Sequence, residues 1–147
     1  MPRYTKRSYR PRDKYSVEQT AGTLTTNTLG DGGVTVVTPN AIQGMRKVKH
    51  LTISLAQNGS GQGVFWALVY VPSGTSASTL HIDDTSMYEP NQYVMGCGIF
   101  DVDAGPMRIN CPLARNLNSG DSVALVVHST TPSTSYGYVV RYAVTLQ

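Results

Sequence analysis

The first 15 residues combine basic and aromatic side chains that could bind nucleic acid. The candidate contacts are Arg3, Tyr4, Lys6, Arg7, Tyr9, Arg10, Arg12 and Lys14. Arginine and lysine neutralise phosphates and displace counterions, so such binding does not depend on base sequence and weakens with salt. Tyrosine rings stack on unpaired bases, which favours single strands over duplexes. The segment therefore predicts a contact site for a single-stranded polyanion.

A second group of cations, Arg46, Lys47 and Lys49, begins a predicted strand. Because side chains alternate along a strand, Lys47 and Lys49 should share one face while Arg46 and Val48 share the other. Lys47 and Lys49 are therefore further candidates for phosphate contact. A charged edge strand that resists aggregation explains the same residues equally well, so both interpretations stay open.

Two acidic pairs, Asp83 with Asp84 and Asp101 with Asp103, could hold a divalent cation. Hard cations take about six oxygen ligands, and each pair supplies only two carboxylates. Aspartate is also common in turns, where its side chain accepts hydrogen bonds from the local backbone. Turn formation accounts for these residues without a metal, so we expect no cofactor.

The remaining reactive side chains do not form a catalytic pattern. His50, His81 and His128 lack the spacing of a metal site, and no serine lies in a G-x-S-x-G motif. We therefore do not expect an enzyme. Cys97 and Cys111 are predicted as two buried thiols, with a single disulfide left open. Trp66 is expected in the core, and the alternative is a ligand-stacking tryptophan of the kind found in lectins.

The distribution of charge separates the chain into two parts, 1–15 and 16–147. Residues 1–14 hold six basic side chains and one acidic one, whereas the rest holds six basic and eight acidic side chains. A basic tail on a mildly acidic body points to a polyanionic partner. The tail lacks the apolar residues needed to bury itself and should be an extended arm. No stretch approaches the length of a membrane span, so membrane insertion is not expected.

The elements that must position these residues are strands. From residue 16 onward, short runs rich in Val, Ile, Thr and Tyr alternate with Gly, Ser, Asn and Pro. Residues 73–91 form the longest stretch without such a pattern. The composition predicts an all-β fold, a single eight-stranded antiparallel jelly roll (β-sandwich). The eight predicted strands are 16–28, 34–38, 46–57, 64–71, 92–101, 107–115, 121–129 and 137–146.

Several segments together resemble a known viral family. They are the Arg/Tyr-rich N-terminus, RKVKHLTISL (46–55), WALVYVPSGT (66–75), MYEPNQYVMGCGIFD (87–101), LARNLNSGDSVALVV (113–127) and YVVRYAVTL (138–146). In this order they resemble the capsid proteins of small circular single-stranded DNA viruses that encode a rolling-circle replication protein (circovirus-like, CRESS-DNA viruses). The resemblance covers most of residues 45–147.

The resemblance implies a capsid protein that self-assembles into a small icosahedral shell. The smallest closed (T=1) shell has about 60 copies. It further implies a packaged single-stranded circular DNA genome bound by the basic arm, location in the virion and the host nucleus, and a nuclear import receptor as a partner. Three alternatives stay open: a carbohydrate-binding β-sandwich lectin or adhesin, a cellular single-strand-binding protein, and the capsid protein of a small RNA virus.

Overall fold

The computed structural model describes residues 15–40, 44–57, 63–75 and 93–146, whose strands form two antiparallel sheets packed face to face. In chain order the strands are β1 (Tyr15–Thr25), β2 (Asp31–Val37), β3 (Arg46–Gln57), β4 (Val64–Val71), β5 (Val94–Phe100), β6 (Met107–Cys111), β7 (Arg115–Leu117), β8 (Ser122–Ser129) and β9 (Ser135–Leu146). None of the described segments contains a helix that could cross a membrane.

The strand order identifies the architecture. The first sheet runs β1-β9-β3-β6, with β7 also paired to β3, and the second sheet runs β2-β8-β4-β5. All of these pairings are antiparallel. The chain crosses repeatedly from one sheet to the other, so most neighbouring strands are distant in sequence. This is a jelly-roll sandwich, and the predicted fold class is confirmed.

Strand β4 lies at the centre of the second sheet, between β8 and β5. Its almost continuous apolar sequence is buried on both faces. Val64, Trp66 and Leu68 enter the main core between the sheets. Ala67 and Val69 belong to a smaller apolar cluster on the opposite face. The prediction that this strand is central and buried on both sides is confirmed.

The structure has one strand more than the eight predicted, because the run 107–115 is divided into β6 and β7. Pro112 stands at the break and has no N–H to donate to a neighbouring strand. Both pieces pair with β3, but the register moves by one residue between the pair Leu51–Cys111 and the pair Val48–Arg115. They therefore act as one interrupted strand at the edge of the first sheet.

The two cysteines lie in different environments, so the prediction of two buried thiols is correct only for Cys111. Cys111 is buried, and its Sγ donates to the carbonyl oxygen of Met95 at 3.3 Å. Cys97 is exposed, because it pairs opposite Ala67, whose side chain points away from the main core. No disulfide joins the two residues.

Candidate nucleic-acid interface

The candidate site is the outer face of the first sheet, the face turned away from the second sheet. Residues directly opposite each other in antiparallel strands lie on the same face. Arg141 of β9 stands opposite Gln19 of β1 and Thr52 of β3, and all three point outward. The alternate residues of β9, such as Tyr136 and Val140, are buried in the core.

A bulge in β3 sets which cations reach this face. His50 adopts a positive φ of 56°, and the pairing with β9 shifts by one residue between Lys49 and Thr52. An extra residue of this kind reverses the alternation of the side chains that follow. Before the bulge Val48 faces the core, and after it Leu51 does so. The prediction that Lys47 and Lys49 share one face, opposite Arg46 and Val48, is confirmed.

Four cations occupy the outer face, which we call the basic face: Lys47, Lys49, Arg108 and Arg141. They are four of the six basic residues of the body. Among the residues that the structure describes, this face has no Asp or Glu. The acid of β1, Glu18, lies on the opposite side of the sheet, where its carboxylate accepts a hydrogen bond from the Tyr142 hydroxyl at 3.0 Å. On this face of the mildly acidic body, the charged side chains that the structure describes are therefore all cationic.

Sequence reasoning missed Arg108 and Arg141. They lie diagonally across β3, where Ser54 pairs with Arg108 and Thr52 pairs with Arg141. Together with Gln19 and Val139 they line a cleft of about 320 Å³. The Nε of Arg141 donates to Oε1 of Gln19 at 2.7 Å, so the guanidinium is held over the sheet. Such a cleft can accept the oxygens of a phosphate.

The basic face includes Tyr15, the residue at which the predicted arm ends. Tyr15, the first residue of β1, lies on this face opposite Thr145, and the Nζ of Lys49 stands 4.8 Å from the centre of its ring. The chain preceding Tyr15 therefore joins the body at the edge strand beside the lysines. The predicted contacts Arg3, Tyr4, Lys6, Arg7, Tyr9, Arg10, Arg12 and Lys14 lie outside the described residues and stay predictions.

The acidic pairs have different outcomes. Asp83 and Asp84 lie outside the described residues, as does most of the stretch 73–91. Asp101 and Asp103 are exposed, and Oδ1 of Asp101 accepts the amide N–H of Asp103 at 3.0 Å at the start of a 3-10 turn. No cluster of three or more His, Cys, Asp or Glu side chains suited to a metal occurs among the described residues.

A buried carboxylate, Asp121, ties together the loops beside β7. Its oxygens accept the Tyr70 hydroxyl at 2.7 Å and the amides of Ser73 and Asn118 at 3.0 and 2.9 Å. Desolvation alone would raise the pKa of Asp121, but these hydrogen bonds and the charge of Arg115 outweigh it and hold the pKa below its usual value. The hydrogen bond between the Tyr70 hydroxyl and Asp121 raises the pKa of Tyr70. The cluster is structural, because its polar atoms bind one another.

Trp66 and His128 do not form a ligand site. Trp66 is 4% exposed and packs in the main core, where a Cβ on Gly98 would come within 3.0 Å of its ring. It is therefore not available to stack on a sugar. The Nδ1 of His128 lies 2.7 Å from Oδ1 of Asp31 on the second sheet, and the two form an ion pair when the imidazole is protonated. The core position predicted for Trp66 is confirmed.

Comparison with known proteins supports the fold. A protein of the T13 IBDV viral particle superposes with a TM-score of 0.51 and 11% identity over all of this chain and 36% of its own. A structure of turnip yellow mosaic virus superposes with a TM-score of 0.46 and 12% identity, over 100% of this chain and 86% of its own. The CBM22-1 xylan-binding domain from Paenibacillus barcinonensis superposes with a TM-score of 0.43 and 12% identity, over 92% of this chain and 83% of its own. No protein-family model and no curated protein sequence matches. At these identities the likeness concerns the fold alone.

Proposed function

We propose that this chain is a viral capsid protein whose copies assemble into a small icosahedral shell around single-stranded nucleic acid. The observation that carries the proposal is the segregation of charge. Lys47, Lys49, Arg108 and Arg141 share one face with no acid among its described residues, and the basic arm joins the body at the same face. In a shell of identical subunits, such a surface turned toward the contents would neutralise packaged phosphates.

The mode of binding follows from the residues of this face. Lysine and arginine can contact the phosphate backbone, and such contacts carry no base information, which suits the packaging of a whole genome. The tyrosines of the arm add stacking on unpaired bases. Arg3 to Lys14 would line the shell interior, where Lys47 and Lys49 add further phosphate contacts.

The resemblance of 45–147 to circovirus-like capsid proteins supports DNA as the packaged nucleic acid. Phosphate contacts are common to DNA and RNA, and an RNA genome fits the basic face equally well. With a DNA genome replicated in the nucleus, the basic arm would also serve as an import signal, and the assembled protein would be found in the host nucleus and in the virion.

Electron microscopy of the purified chain, with the 260/280 nm absorbance ratio of the same fraction, tests this proposal. We expect uniform shells of about 60 copies whose absorbance reports nucleic acid. Digestion of the extracted nucleic acid with DNase or RNase then identifies the genome type. A small monodisperse species with protein-like absorbance would contradict the proposal, and binding on a glycan array would favour a lectin instead.

A further inference from the structure

The arginine cleft continues into an apolar depression on the same basic face. The second depression has a volume of about 370 Å³ and shares Ser54 and Val139 with the first. Its other lining residues include Ala21, Ala56, Pro106 and Gly137. Along β9 the outward side chains therefore pass from a guanidinium at Arg141 to a methyl surface at Val139 and then to Gly137, over about 13 Å.

We propose that this composite cleft binds one nucleotide unit of a single strand. The phosphate lies between Arg108 and Arg141, and the base lies over the apolar floor beside Val139. The inference rests on the proposed function, because the ligand is a segment of the packaged strand. It adds a defined subsite to a surface that otherwise attracts phosphates by charge alone.

The shape of the floor favours a flat base. Gly137 has no side chain, and a Cβ placed there would meet only the backbone oxygen of Ala56 at 3.9 Å. The space above it is therefore open, whereas a longer side chain would fill it. A duplex keeps its bases stacked and paired, so only an unpaired base can turn its face onto Val139.

The charge of the composite cleft argues against one alternative occupant, the basic arm of another copy of this chain. The arm carries six cations and one acid, and two guanidiniums without a facing carboxylate among the described residues repel it. An acidic peptide would satisfy the arginines, but it would also need an aromatic side chain at the right distance to cover the floor. A nucleotide matches both halves.

The test measures how the full-length chain binds a short fluorescent oligothymidylate and an abasic strand of equal length and charge. In Gly137→Leu, the preference for the base-containing strand should fall by about fivefold, because the floor is filled. Gly137→Ala is the matched control and should keep the preference, since one methyl group fits. Arg108→Gln with Arg141→Gln should weaken both strands and lower the salt slope by about 1.4. Melting temperatures confirm that each variant folds.

Either of two results with the variants would overturn the inference: an unchanged strand preference in Gly137→Leu, or an unchanged salt slope in the arginine variant. Stronger competition by polyglutamate than by the strand would also overturn it in favour of an acidic peptide. These outcomes are distinct from failure of the proposed function, in which the unmodified chain binds neither strand and forms no shells. Lys47→Gln is a further control, which should weaken both strands and leave the preference unchanged.

Discussion

Lys47 and Lys49 allow a test of phosphate contact at single residues. Replacing both by glutamine should weaken binding of single-stranded nucleic acid and reduce the slope of log affinity against log salt by about 1.4, since each contact contributes about 0.7. Fluorescence anisotropy at several salt concentrations measures this slope. The matched control, Lys47→Arg with Lys49→Arg, keeps the charge and should keep the slope. Equal slopes in the glutamine and arginine variants would show that these lysines do not contact phosphates. The alternative prediction, a charged edge strand, is wrong, because β3 is paired on both sides, with β9 and with β6 and β7.

Asp121 controls stability through its buried hydrogen bonds. Asp121→Asn should lower the free energy of unfolding by about 1–3 kcal/mol at neutral pH, because a charged acceptor of three donors is lost. The folded-state pKa of Asp121 lies below its unfolded value. Its contribution is therefore complete above about pH 4 and is lost as the pH falls through the lower folded-state pKa.

Denaturant titrations across this pH range check the prediction for Asp121. The stability gap between the native chain and Asp121→Asn should narrow as the solution becomes more acidic. Asp103→Asn is a suitable control, because Asp103 is exposed and its replacement should change the free energy of unfolding only slightly. A gap for Asp121→Asn that stays the same down to pH 2 would refute the electrostatic explanation.

At the scale of elements, the bulge at His50 decides which side chains of β3 reach the basic face. Deleting His50 should remove the bulge and leave Val48 in the core and Lys47 and Lys49 on the basic face, because Val48 and Leu51 would then stand two positions apart, as in a regular strand. We expect the deletion variant to fold, with a β-sheet spectrum in circular dichroism. His50→Gly keeps the bulge and accepts the positive φ, so its melting temperature should equal or exceed that of the native chain. A deletion variant that does not fold would contradict the interpretation of His50 as the extra residue of the bulge.

Local sequence predicted the strands well, because turn residues bound them. The limits of β3 and β4 match the predicted 46–57 and 64–71, where Gly- and Pro-containing segments flank apolar runs. The break at Pro112 was missed because the apolar pattern continues around it. Arg108 and Arg141 were missed for a different reason. They are 33 positions apart in sequence and become neighbours only through pairing with β3, which no local pattern specifies.

At the scale of the whole molecule, the arm and the basic face divide the binding of nucleic acid. The arm supplies six cations and the basic face supplies four. Deleting residues 2–14 should leave the body folded and reduce the packaged nucleotides per shell to roughly two-fifths of the native value, in proportion to the remaining cations. Absorbance and phosphorus analysis of purified particles measure this content. An unchanged content would show that the arm does not contact the genome.

The central claim is that the basic face is turned toward packaged nucleic acid. The most direct test is a cryo-electron microscopy map of the assembled particle. We predict that the first sheet faces the interior and that density for nucleic acid lies next to Lys47, Lys49, Arg108 and Arg141. This density should be missing from shells that were disassembled, treated with nuclease and reassembled. A shell in which this face is turned outward, or is buried between subunits away from the interior density, would contradict the account.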